Sequence, residues 1–240
     1  MEPPRRREVV LEGNRVVAPS VHLLSFRTAP GDILTFDPGQ YITFFLTRAG
    51  KSVPRSYSFF STAGSVDRFD LLIKQVPDGY GSTLLCSLEA GSQPVLPALA
   101  PLGRFLLRPP GGREVVFVAT GTGVAPFLPM LTALRAQSPG TPTWLVFGER
   151  HREDLIGHDE FLAWTKAWPA FHFLPVLSRP PADGSWKGAV GHVQETVRDR
   201  FPDLSNAHVY LCGVPEMVNE TQALCAKLGC PNDQVFVERY

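Results

Sequence analysis

Residues 115–134, VVFVATGTGVAPFLPMLTAL, run for twenty positions without a charge. A run of that length crosses a bilayer if it forms a single helix. GTG stands at its centre, however, and two prolines follow. A buried β-strand, a glycine turn and a buried helix account for it better, because parallel strands are covered on both faces and read as unbroken apolar segments. No membrane span is expected.

The rest of the chain falls into two rhythms around that run. Before it, short apolar runs at 16–26, 41–46, 57–60 and 69–76 are separated by the turn segments APGD, FDPGQ, TRAGKSVP and TAGSVD. Runs this short, with turns this frequent, predict an antiparallel barrel that hides its edges by closure. One short helix is expected over 82–88, stopped by Glu89, Ala90 and Gly91, and RPPGG at 108–112 reads as a linker. After the linker, VVFVAT, TWLVFGE, FHFLPVLS, HVYLCG and QVFVERY alternate with helical stretches to about Gln137, at 160–166, near 190–199 and at 216–228. Alternation of that kind predicts a parallel sheet with helices on both faces. The expected fold class is β followed by α/β, with domains at 1–110 and 111–240.

Composition narrows the function classes. The chain has 23 Lys+Arg against 23 Asp+Glu, so no global field attracts nucleic acid or an anionic surface. Residues 1–112 hold 12 basic and 9 acidic residues and residues 113–240 hold 11 and 14, a contrast of +3 against −3. Its 23 prolines are interleaved with apolar runs, which excludes a disordered polar tract. Cysteines at 86, 212, 225 and 230 form no CxxC pair, and the six histidines show no paired spacing, so no metal site is expected. The opening MEPPRRRE is not signal-like, which predicts free thiols in the cytoplasm.

Gly121 and Gly123 permit a tight turn after the strand, and the following helix start offers unpaired amides to a phosphate. Pro126 is expected in the first helical turn, where its missing N–H costs nothing. The turn is neither GxGxxG nor a Walker A loop, so by itself it marks only a strand–helix connection.

Five segments together resemble the ferredoxin–NADP reductase family of flavoproteins over nearly the whole chain. RSYS at 55–58 matches its flavin motif, GYGST at 79–83 its flavin-diphosphate segment, and PLGRF at 101–105 the segment closing its barrel. GTGVAP at 121–126 matches its pyridine-nucleotide turn, and CGVPEM at 212–217 the segment beside the nicotinamide. Ala100 stands where the family has the first glycine of the barrel-closing segment. The resemblance implies that the barrel binds FAD and the α/β domain a nicotinamide cofactor.

On that basis Arg55, Tyr57, Ser58, Ile73, Lys74, Gly81, Ser82 and Thr83 are expected to bind the flavin. Gly121, Thr122, Gly123, Pro126, Cys212, Gly213, Pro215 and Met217 are expected around the nicotinamide. Tyr57 has a ring to lay on the isoalloxazine, Arg55 a rigid fork for phosphates, and Ser58 a hydroxyl for the neighbourhood of flavin N5. Strand alternation puts Arg55 and Tyr57 on one face and Ser56 and Ser58 on the other. The closing VERY resembles the Glu-x-Tyr ending of plant-type members, which implies Tyr240 as a displaceable cover on the flavin. Ser58, Cys212, Glu238 and Tyr240 are then the catalytic set, with Cys212 shaping the pocket rather than acting as a nucleophile. Ser178 and Arg179 occupy the place of the family's Ser-Arg pair for the 2′-phosphate, Arg150 in FGER offers a second donor, and together they point to NADPH. WKGAVG at 186–191 resembles a stretch of oxygenase reductases that use NADH, which keeps NADH open.

The expected activity is electron transfer between NADPH and a one-electron carrier, by hydride transfer to flavin N5. The carrier, ferredoxin or flavodoxin, is expected to be a separate protein, since no cysteine set for an iron–sulfur centre is present. The alternatives are the NADH-dependent reductase component of an oxygenase, and a flavin-bearing subunit of a larger redox complex. Nucleic-acid binding lacks both basic stripe and reader motif.

Overall fold

The computed structural model describes residues 3–89 and 95–240 and divides into two compact units. The first takes the described residues up to Leu107 together with Ala125–Ala133; the second takes Arg108–Val124 and Leu134–Tyr240.

The first unit holds β1 (Arg5–Ala18), β2 (Val21–Thr28), β3 (Leu34–Phe36), β4 (Tyr41–Arg48), β5 (Lys51–Ser58), β6 (Gly64–Val66), β7 (Arg68–Lys74), α1 (Tyr80–Ser87) and β8 (Val95–Leu102). Six strands form one antiparallel sheet in the order β5-β4-β8-β1-β2-β7, and β3 pairs with β6 alone. The two edges of the large sheet meet where Phe59 bridges Leu71 and the Phe60 amide donates to the Asp70 carbonyl at 2.8 Å. That closure leaves little free edge for pairing with another chain. Inside lie Leu11, Leu24, Phe26, Phe44, Phe59 and Phe69, with Phe59 edge-on to Phe69 at 5.3 Å.

Three local expectations are corrected. The apolar run 16–26 is not one strand: it turns at Ser20, whose φ is 60°, and joins β1 to β2 as a hairpin. Residues 51–54, read as turn, belong to β5, and the helix starts at Tyr80 rather than 82. Of its expected stop, Ala90 and Gly91 lie outside the described residues, as do Met1 and Glu2 of the opening. In β1 the pairing passes from Leu11↔Phe26 to Gly13↔Ser25, leaving Glu12 as the extra residue of a bulge. A bulge re-aims the side chains that follow it. Beyond it the odd-numbered burial of Arg7, Val9 and Leu11 ends, Gly13 and Asn14 are half-buried, and a second register shift between Val16 and Ala18 precedes the buried Ala18.

The chain continues through β9 (Glu114–Thr120), a 3₁₀ turn over Gly121–Val124, α2 (Phe127–Gln137), β10 (Thr143–Glu149), α3 (His158–Ala167), β11 (Phe171–Leu177), β12 (Ala189–Val190), α4 (Val193–Arg200), β13 (Ala207–Gly213), α5 (Pro215–Lys227) and β14 (Val235–Arg239). Thus the uncharged run 115–134 is strand, turn and helix, and Pro126 stands just before the helix rather than in its first turn. The strands form a wholly parallel sheet, ordered β12-β11-β10-β9-β13-β14. One face buries Val116, Val118, Val209 and Leu211 beneath Val193, Val197, Val218 and Cys225 of α4 and α5. On the other, Tyr210 lies 5.2 Å from Phe117 and 4.7 Å from Phe236.

From β9 the chain moves outward through β10 and β11, then returns to the opposite side of β9 as β13. Strand order therefore reverses at β9, and open parallel sheets take their ligands outside the carboxyl ends at such a point.

Candidate functional site

In the first unit, Arg55 and Tyr57 share one face of β5, opposite Phe44 and Ile42, while Ser56 and Ser58 share the other, opposite Thr43 and Tyr41. Tyr57 packs against the barrel core, its ring 6.2 Å from Phe44. Burial pushes its phenol up to about 12, with Cys86 adding to the shift and Arg55 opposing it, so the group stays neutral. Arg55 is exposed, and its guanidinium donates to the Pro54 carbonyl at 2.8 Å. Its methylenes cross the start of α1: a Cβ on Gly81 would stand 2.6 Å from Arg55 Cγ. The fold thereby brings the segments 55–58 and 79–83 together.

Helix α1 opens at Gly79 with no side-chain cap and no acidic residue in its first turn. Its orphan amides suit an anion. Ser82 Oγ accepts from the Val76 amide and donates to the Gly79 carbonyl, each at 3.1 Å, so its hydroxyl braces the preceding turn. Thr83 is exposed at the helix start. Ile73 is fully buried in the barrel core, which leaves only its backbone for a ligand, whereas Lys74 is exposed. Gly103 has φ 106°, and a Cβ there would lie 2.9 Å from the Tyr41 ring. An open guanidinium beside an uncapped helix start fits a phosphorylated flavin.

In the second unit, the candidate residues gather at the carboxyl ends of β9, β13 and β14. A Cβ on Gly123 would overlap the Cys212 carbonyl, so the turn needs glycine to pack on the end of β13. Gly213 has φ 153°, and a Cβ there would run into Thr120 Oγ1 and lie 2.7 Å from Met217 Cε. Pro215 occupies the first turn of α5, and Met217 is buried beneath it. Cys212 pairs with Ala119 on one side and Glu238 on the other. Burial, reinforced by the Glu238 charge, raises the Cys212 thiol well above its ordinary range. It is a protonated, packed thiol.

Tyr240 reaches the glycine turn. Its hydroxyl accepts from the Gly123 amide at 3.1 Å and donates to the Thr120 carbonyl at 2.7 Å. Tyr240 is exposed overall, but desolvation of its hydroxyl end pushes this phenol up to about 12, a hydrogen bond with Thr122 opposing the shift. Thr120, not singled out from the sequence, has a buried Oγ1 without a hydrogen-bond partner. A buried hydroxyl left unpaired is costly, and here it lies where strand order reverses. Its signal was its place immediately before GTG. The orphan hydroxyl and the turn's polar backbone fit the carboxamide of a nicotinamide.

Arg150 and Arg179 extend the pairing of β10 with β11. The Ser178 amide donates to the Glu149 carbonyl at 3.0 Å and the Arg179 amide to the Arg150 carbonyl at 2.9 Å. Both arginines are exposed, and neither pairs with a carboxylate among the described residues. Beside them Trp186 folds onto Gly188, its Nε1 donating to the Ala189 carbonyl at 2.9 Å.

Comparison with known proteins accords with this geometry. The family model for an oxidoreductase FAD-binding domain matches residues 8–106, and that for an oxidoreductase NAD-binding domain matches residues 117–223. Ferredoxin–NADP reductase B of Sorangium cellulosum is 36% identical over 240 residues, covering 97% of each chain. Reductase component 1 of a Comamonas terephthalate 1,2-dioxygenase is 30% identical, over 95% of this chain and 67% of its own length. A cytochrome P450 reductase of Amycolatopsis superposes with a TM-score of 0.88 at 25% identity, over 100% of this chain and 71% of that one. An antiparallel barrel followed by a parallel sheet, matched end to end by such a relative, places the chain in the ferredoxin–NADP reductase family as a flavin- and nicotinamide-dependent reductase.

Proposed function

We propose that the chain carries electrons between NADPH and a separate one-electron carrier, ferredoxin or flavodoxin, with FAD held by residues 1–110 and the nicotinamide cofactor by 111–240. FAD, when bound, supplies the conversion of two-electron into one-electron transfer. Arg55 and the first amides of α1 hold its diphosphate, and Tyr57 and Ser58 flank its ring. The 121–123 turn, Thr120 and Gly213 orient the nicotinamide. Cys212 fills the space beside it as a neutral thiol, and Glu238, paired with it across β13 and β14, helps set the reacting geometry. Tyr240 covers the site until a nicotinamide takes its place. Four buried, free thiols suit a reducing compartment such as the cytoplasm.

The observation that carries NADPH is the pair Arg150 and Arg179, joined by a backbone hydrogen bond, with no carboxylate among the described residues to neutralise them. A phosphate dianion is the natural partner of two such guanidiniums. Arg179→Ala should therefore weaken use of NADPH roughly tenfold to a hundredfold, the worth of a charged hydrogen bond, and leave NADH nearly unaffected. Anaerobic reduction of the flavin by each cofactor measures this. Equal losses for both would give Arg179 a structural role.

The second reading is an NADH-dependent reductase component of an oxygenase, or a flavin-bearing subunit of a larger redox complex. The Trp186–Gly188 turn and the terephthalate dioxygenase relative favour the former. A wild type that already reduces faster with NADH decides for it.

A further inference from the structure

Helix α1 has eight residues, a length of about 12 Å, too short to hold its direction without anchors. Its C-terminal cap residue Leu88 is extended, and carbonyls of the last turn need partners from elsewhere. Two are met locally: Leu85 O by the Leu88 amide at 3.3 Å and Leu84 O by Ser87 Oγ at 2.8 Å. Two others are met by one side chain from the opposite end of the barrel sequence. Asn14 Nδ2 donates to Cys86 O at 2.9 Å and to Leu88 O at 2.8 Å.

The remaining Asn14 atom is also engaged. Asn14 Oδ1 lies 2.7 Å from His22 Nδ1. Both Nδ2 hydrogens are spent on carbonyls, so Oδ1 accepts and His22 Nδ1 carries the proton. The bulge at Glu12 puts Asn14 where it reaches the helix: it pairs with the fully buried Leu24, whereas unbroken alternation from Leu11 would face Gly13 inward instead.

We propose that Asn14, held by His22, is a positioning residue that clamps α1 from its C-terminal end and so aims its N-terminal amides at the flavin diphosphate. The inference rests on the reading that this diphosphate binds at the start of α1. The hydrogen bonds of Asn14 go to the C-terminal end of α1 and to His22, so on this reading its effect falls on ligands that carry the phosphates.

The test is titration of the flavin-free full chain with FAD and with riboflavin, followed by flavin fluorescence. Wild type should bind FAD more tightly than riboflavin. In Asn14→Ala that preference should shrink about tenfold, roughly the net worth of one or two lost hydrogen bonds, with riboflavin affinity unchanged. Asn14→Asp, which sets a carboxylate against two carbonyls at the negative end of a helix, should shrink it further. A folded Asn14→Ala protein that keeps the full preference overturns the proposal. A wild type that shows no preference overturns the diphosphate reading itself. If neither Asn14 variant folds, His22→Ala, which keeps both amide contacts and loosens only their holder, must reduce the preference about threefold or the proposal fails.

Discussion

Tyr240 offers the glycine turn a donor and an acceptor on one oxygen, meeting the Gly123 amide and the Thr120 carbonyl. A primary carboxamide carries the same two functions, so under the proposed nicotinamide site the phenol and the cofactor would compete for the same backbone groups. The binding free energy of the cofactor is reduced by whatever holds the phenol in place. Tyr240→Phe keeps the ring and removes the competitor, and should tighten NADP⁺ binding to the oxidised protein about three- to tenfold. Tyr240→Ala should tighten it further and narrow the gap between NADP⁺ and NAD⁺. Difference spectroscopy during titration reads both constants, and unchanged values in both variants would remove Tyr240 from the nicotinamide site. At this scale RSYS, GYGST and GTG name their candidate residues outright in the sequence, and the fold brings the first two segments together. Thr120 is not among them. Its distinction is an unpaired buried hydroxyl, and whether a hydroxyl finds a partner is decided only by the fold.

Glycine tolerance separates two kinds of element contact. At Gly81 a new Cβ would meet the methylenes of Arg55, the movable part of a long side chain. At Gly123 it would meet the backbone of Cys212 and Gly213, which is fixed by pairing with β9 and β14. Gly81→Ala should therefore fold with a melting point within a few degrees of wild type while losing FAD affinity as Arg55 is displaced. Gly123→Ala should lower the melting point markedly and abolish flavin reduction by NADPH. Thermal melts beside flavin titrations check both, and a Gly81→Ala protein with full FAD affinity would detach Arg55 from the flavin. The parallel sheet was legible because five of its six strands are each one apolar run closed by a turn. The sixth, β12, is only two residues long and was missed, and the helix expected near 190–199 begins at Val193. The barrel was less so. Its first hairpin hid inside the single apolar run 16–26, and the bulge at Glu12 breaks the alternation on which a strand is recognised. Residues 51–54, with lysine, serine and proline, carry the composition of a turn yet pair along β4, since cross-strand partners outweigh local preference.

Across the whole molecule, all four cysteines are free and buried, one in the barrel unit and three in the parallel-sheet unit. Cys225 and Cys230 meet at the end of α5, where the Cys230 amide donates to the Cys225 carbonyl at 3.0 Å and Gly229 turns the chain at φ 81°. Both side chains lie in the apolar cluster beneath this helix-ending turn, and the Cys230 thiol donates to the Ala207 carbonyl at 3.8 Å. Burial raises every one of them: Cys86 to about 11, Cys225 to about 12, Cys230 to about 11 and Cys212 well above its ordinary value. Cys230 adds to the shift at Cys225, Asp233 to that at Cys230 and Glu238 to that at Cys212. An unfolded thiol releases its proton near pH 9, whereas the folded one holds it. Above that pH the native state binds more protons, so stability is complete below about pH 9 and falls as pH rises through the folded values. Each thiol contributes a slope of up to about 1.4 kcal/mol per pH unit across its window. Urea unfolding at pH 8 and at pH 10.5 should show a lower midpoint at the higher pH. Cys225→Ala should be less stable at pH 8, from the cavity it leaves, yet lose less on going to pH 10.5, since one titrating group is gone. Parallel losses in the variant and the wild type would mean that Cys225 does not hold its proton in the fold, and that the alkaline weakness lies elsewhere.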